Sequence, residues 1–103
     1  MTDRYDGKPF LRLLDSYVLD AIGFLDAGGE AAARDAEAAV RDTYGLSGGW
    51  REMVASEMKF PDGMPGALRE MWTSGRKRFI ETEGHEPDPG EFVRTFVDTN
   101  FAR

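Results

Sequence analysis

The chain has 103 residues, a net charge of −6 and no cysteine. That length fits one ordinary domain, and the missing cysteine excludes a disulfide framework, a thiolate zinc site and a cysteine nucleophile. The acidic balance weighs against binding nucleic acid and against a polybasic membrane contact, since both need clustered Lys and Arg.

Residues 1–8 read as a polar arm, and residues 9–103 as a single helical domain. The palette is helical: seven Phe, five Met and two Trp stand beside few β-branched aliphatics. The first predicted helix covers about 9–26. Pro9 suits its first turn, and Phe10, Leu13, Leu14, Tyr17, Val18, Ala21, Ile22 and Leu25 cover more than one helix face. Arg12, Asp15, Ser16 and Leu19 fall on the remaining polar side. This helix should therefore be central. Leu19, apolar on that side, is a candidate contact, with a second copy of the chain as one possible cover.

Ala27-Gly28-Gly29 reads as a break. The second predicted helix, 30–44, is alanine-rich, with Glu30–Arg34 and Glu37–Arg41 at favourable i,i+4 spacing. Its thin face of Ala33, Ala36, Val40 and Tyr44 should pack closely through small side chains. Gly45 is placed to end it. A short helix follows at 49–59, carrying Trp50, Met53, Val54 and Met58 on one face. The stretch 60–66, with Pro61 and Pro65, reads as a loop that presents Met64 between Gly63 and Pro65 as an exposed apolar contact.

The fourth predicted helix spans 65–83 and ends at Gly84. Leu68, Met71, Trp72, Gly75, Phe79 and Ile80 share helical spacing. Arg76 lies four residues after Trp72, so a guanidinium over the indole would make these two a contact pair. Asp88-Pro89-Gly90-Glu91 has the form of a capping box for a last helix at 89–102. No stretch alternates with period two, so the expected fold is all-α: a compact bundle of about five helices and no sheet.

The segment 81–91 holds Glu81, Glu83, Glu86, Asp88, Glu91 and the sole histidine, His85, with no Lys or Arg. Carboxylates and an imidazole are metal-ligand types, which makes Glu81, Glu83, His85 and Glu86 the candidate metal set. The calcium-loop pattern is not matched, and no cofactor is expected. No serine sits in a nucleophile-elbow context. No run approaches the ~18 apolar residues of a membrane span, and the polar start points to the cytoplasm.

The expected function is a non-enzymatic helical interaction protein, acting on an unidentified protein partner or on a second copy of itself. One alternative is a small metal-binding protein or enzyme centred on the 81–86 acids. Another is an acidic inhibitor or immunity-type partner of a basic protein.

Overall fold

Pro9 opens the first helix, α1 (Pro9–Ala21), in a computed structural model that describes Tyr5 and residues 7–101. The rest of the expected arm, and residue 102 at the end of the expected fifth helix, lie outside the described residues. The remaining helices are α2 (Ala27–Tyr44), α3 (Trp50–Glu57), α4 (Met64–Glu83) and α5 (Pro89–Asn100). Among the described residues there is no strand, and the architecture is the all-helical bundle expected.

The ends of the helices differ from the periodicity in instructive ways. α1 stops at Ala21 rather than near Asp26. Gly23 adopts φ +88°, and the N–H groups of Gly23 and Phe24 bond back to the carbonyls of Asp20 and Leu19. That paired closure terminates a helix even when apolar residues continue beyond it. The freed Asp26 then caps α2, its Oδ1 accepting the Gly29 N–H at 2.7 Å. Ala27-Gly28-Gly29 is thus the first turn of α2, not a break. A side-chain cap contributes about 1 kcal/mol and tolerates glycines in the turn it closes.

α3 ends by the same closure, but Lys59 occupies the left-handed position with φ +56°. A non-glycine residue there carries a steric cost. Lys59→Gly is expected to raise stability by about 1 kcal/mol, read as a higher urea midpoint with an unchanged slope. Met64 is not a loop tip. It is the first residue of α4, half-buried against the core, because Gly63 and Pro65 set up a helix start there.

α1 is the hub. It touches each of the other four helices, and α2 also meets α3. Leu13 and Val18 are fully enclosed, and Phe10, Leu14, Ala21 and Ile22 nearly so. The supposedly polar side is also covered: Asp15 is 5% exposed and Ser16 8%. Tyr5 folds back to donate its hydroxyl to Asp15 Oδ2 at 2.7 Å, which helps to offset the cost of burying that carboxylate. Leu19 packs against the core rather than standing free.

Ala33 and Val40 of α2 are fully buried, so α2 packs closely through small side chains. Tyr44, by contrast, is 44% exposed and lies with its ring tilted against Phe10 at 5.6 Å. Arg51 of α3 ties three helices together. Its Nε donates to Asp20 Oδ2 at 3.0 Å and its terminal nitrogens to Glu30 Oε1 at 3.2 Å. The guanidinium also lies 4.3 Å over the Trp50 ring.

Tyr17 of α1 is buried beside Phe60, and that burial, reinforced by the Asp20 charge, pushes its phenol above the ordinary value of 10. A group whose pKa is raised by folding stabilises the fold below its unfolded pKa and loses that contribution as pH climbs through the folded value. Stability should therefore fall above pH 10, the ordinary phenol value. Tyr17→Phe is expected to flatten that decline without altering the acid limb. Chemical denaturation at neutral and strongly alkaline pH checks it.

Candidate interaction groove

Local chemistry places the two helices that form the candidate site. Gly84 takes the left-handed conformation and its N–H bonds to Ile80 O at 2.9 Å, closing α4. Asp88 then opens α5, with Pro89 in the first turn and Oδ1 accepting the Gly90 N–H at 2.9 Å. Glu91 does not complete a capping box, as its carboxylate makes no hydrogen bond among the described residues.

α4 and α5 both pack on α1 and stand apart from each other. Their backbones make no approach within 8 Å among the described residues, and they meet through side chains alone. Trp72 on α4 touches Phe92 on α5, edge to face, with centroids 5.0 Å apart. Phe92 and Phe96 stack along α5 at 6.0 Å. Beyond these rings the helices leave a groove of about 480 Å³. Trp72, Gly75, Arg76 and Phe79 form one wall; Asp88, Glu91, Phe92, Thr95 and Phe96 form the other. Val93 and Val97 are buried against α1, whereas Phe92 and Phe96 are half-buried and face the groove.

Arg76 does not stack on an aromatic ring. Its guanidinium reaches across to Glu86 in a two-pronged pair, with Nε 2.7 Å from Oε2 and Nη2 on Oε1. The hydrogen bonds from Arg76, reinforced by its charge, hold the Glu86 carboxyl below its usual value. Both groups are exposed, so solvent screens the pair. It ties the interhelix loop to α4 at one end of the groove. His85 packs edge-on against Phe79 at 5.2 Å, with Nδ1 3.0 Å from the Glu86 carbonyl oxygen.

Of the four interaction candidates, the fold brings two together. Trp72, 6% exposed, is the floor of the groove, and Arg76 is on its rim. Leu19 lies elsewhere, in a small hollow with Leu25 and Arg94, and Met64 is at the far end of α4. The metal candidates are not assembled. Glu86 is engaged by Arg76, Glu81 and Glu83 are exposed, and no group of three or more His, Asp or Glu among the described residues is placed to hold a metal ion. The helix-ending turn at Gly84 separates Glu81 from His85 and removes the i,i+4 geometry that a helical pair would need.

Phe79, Phe92 and Phe96 were not singled out as site residues from sequence. A signal existed: Phe92, Val93, Phe96 and Val97 cover an arc of roughly 140°, wider than one packed neighbour requires. Gly75 is the other missed position. A Cβ built there would lie 3.7 Å from the Phe92 ring, an ordinary contact. Gly75→Ala should therefore keep the groove and stabilise α4 by about 0.5–1 kcal/mol, because glycine is a poor residue for a helix interior. A thermal melt reads it.

A second hollow, of about 350 Å³, lies between α1, Tyr44 and α5, with Phe10, Leu14, Val97 and Phe101 beneath and Lys8 and Asp98 at its rim. Opposite charges at one rim give it no electrostatic preference. Among the described residues, no helix is long and apolar enough to cross a membrane. Comparison with protein families, with curated proteins and with solved structures finds no match to this chain.

Proposed function

We propose that this is a non-enzymatic interaction protein that takes the apolar face of a partner helix in the α4–α5 groove. One observation supports the reading above others: Phe92 and Phe96 stay half-exposed on a groove wall when Val93 and Val97 already satisfy the packing of α5 on α1. Aromatic side chains in such a position are the anchors of helix-in-groove recognition. The volume alone would also suit a small molecule. Such a ligand is usually fixed by buried polar groups aimed at it. Among the described residues the sole buried side-chain polar atom without a partner is Trp50 Nε1, which is not in the groove. The titratable pair at the rim, Arg76 and Glu86, is exposed and mutually neutralised, which suits a structural tie better than proton transfer.

The test is a photo-crosslinking amino acid placed at Thr95, on the groove wall, or at Ser56, an exposed residue of α3. Both forms are irradiated in the native cytoplasm, the compartment this reading assigns. A discrete adduct from position 95, absent from position 56 and abolished by Gly75→Leu, supports the reading. Equal adducts from both positions, or none from position 95, overturn it. An adduct of twice the chain mass makes the occupant a second copy and overturns a separate partner.

A further inference from the structure

The walls of the groove differ in charge, and the difference points to its occupant. Arg76 is the cation on the α4 wall, but Glu86 holds it in a two-pronged pair, so together they present no net charge. The α5 wall carries Asp88 and Glu91. Asp88 spends one oxygen on the Gly90 N–H and keeps its charge. Glu91 has no ion pair among the described residues.

Arg94 lines a different hollow with Tyr5 and Asp15, but its guanidinium also comes up to Gly90 beside the Asp88 carboxylate, which leaves Glu91 as the groove's carboxylate without a cation beside it. Arg78 lies beside Met71 on α4. Glu81 and Glu83 add exposed negative charge at the same end. Toward the other end the groove is bordered by Thr95, Thr99 and Asn100, which are uncharged. The groove therefore has an aromatic floor, one acidic end and one neutral end. From Asp88 to Asn100 the wall runs about 18 Å, the length of a three-turn helix.

Resting on the groove reading above, we infer that the occupant is a basic amphipathic helix of a partner protein, lying with its Lys- or Arg-bearing end against Glu91. Apolar side chains at i, i+3 and i+4 meet Trp72, Phe92 and Phe96. A cation at one end gains the Glu91 carboxylate, and its stem can lie on the flat stack of Phe92 and Phe96. An acidic helix would be repelled at the same place, so the charges select partner and direction as well as adding affinity.

The test uses a displayed library of amphipathic helical peptides, about three turns long. The apolar face is fixed and the polar positions are randomised. Selection is carried out on the full chain, on Glu91→Lys and on Gly75→Leu, with circular dichroism confirming that each is folded. Thr95→Trp is the second groove-filling variant should Gly75→Leu not fold. The expected result is an enrichment of Lys and Arg over Asp and Glu of about fivefold at one end of the captured peptides, the factor that one or two screened ion pairs supply. Glu91→Lys should abolish or reverse it, and filling the groove should remove capture. Capture that the filled groove removes, but that shows no charge bias on the native chain or an unchanged bias on Glu91→Lys, overturns this inference and leaves the groove standing. Capture that persists when the groove is filled, or no capture by the native chain, overturns the groove reading as well.

Discussion

Trp72→Ala is expected to cost about 3–5 kcal/mol, the range for removing a buried large aromatic side chain. The indole is 6% exposed and bridges three parts of the chain. Its edge-to-face contacts reach Phe24 at 5.4 Å, after α1, and Phe92 at 5.0 Å, on α5. α4 has little else to hold it. Leu68 and Trp72 are its only residues that become fully buried. Arg69 adds a tie by donating its Nε to the Ala21 carbonyl at 3.1 Å, on the last turn of α1. Without the indole, α4 keeps one deep anchor and the groove loses its floor. Against a total of about 5–15 kcal/mol for a domain of this kind, the variant should be close to unfolding at ordinary temperature. Urea denaturation measures the loss. A cost under about 1 kcal/mol would mean that the bridge is not holding α4 and α5 in place.

Leu13→Ala is the second large effect, expected at about 2–5 kcal/mol. Leu13 is fully enclosed on the helix that every other helix contacts. Its full enclosure places the cost within that range rather than below it. The hub geometry adds a qualitative expectation. Tryptophan fluorescence and far-ultraviolet circular dichroism should report a single shared midpoint, because no helix can leave α1 and keep its own core. Leu11→Ala makes the comparison. Leu11 is half-buried on the same helix and borders the hollow near Tyr44, so its truncation should cost clearly less. Separate midpoints for the two probes, or equal costs for the two leucines, would refute the hub description.

Several features of the fold are legible in single residues. Pro9, Gly45, Gly84, Asp88 and Pro89 mark helix ends where the structure has them. Each acts through atoms within four residues along the chain, so local sequence suffices to read it. Gly23 acts just as locally, but its signal is masked by Ile22, Phe24 and Leu25, which prolong the apolar pattern past the true end of α1. Local charge pairing is half legible. Glu37–Arg41 at 2.7 Å and Glu30–Arg34 at 3.4 Å both pair as spacing suggests, but Glu30 also accepts from Arg51 of α3 at 3.2 Å, which spacing does not show.

The groove shows the boundary most clearly. Periodicity identifies Trp72, Phe92 and Phe96 as apolar positions but does not distinguish a side chain sealed against α1 from one facing an open cleft. Arg76 is legible as a cation near aromatics, yet its partner is Glu86, ten residues away across a loop. Asp15 and Ser16 read as a polar face, yet both are buried, and Tyr5 returns to bond Asp15.

By itself, then, the sequence determines the helical class, the number of helices, most of their ends and the central place of the first. These follow from interactions between neighbours in the chain. The tertiary structure alone decides that α4 and α5 stand apart, that aromatic walls and the Glu91 carboxylate border the same cleft, and that Arg51 ties three helices. Each of those depends on contacts between residues far apart in sequence, whose partners are fixed only when five apolar faces compete for one core.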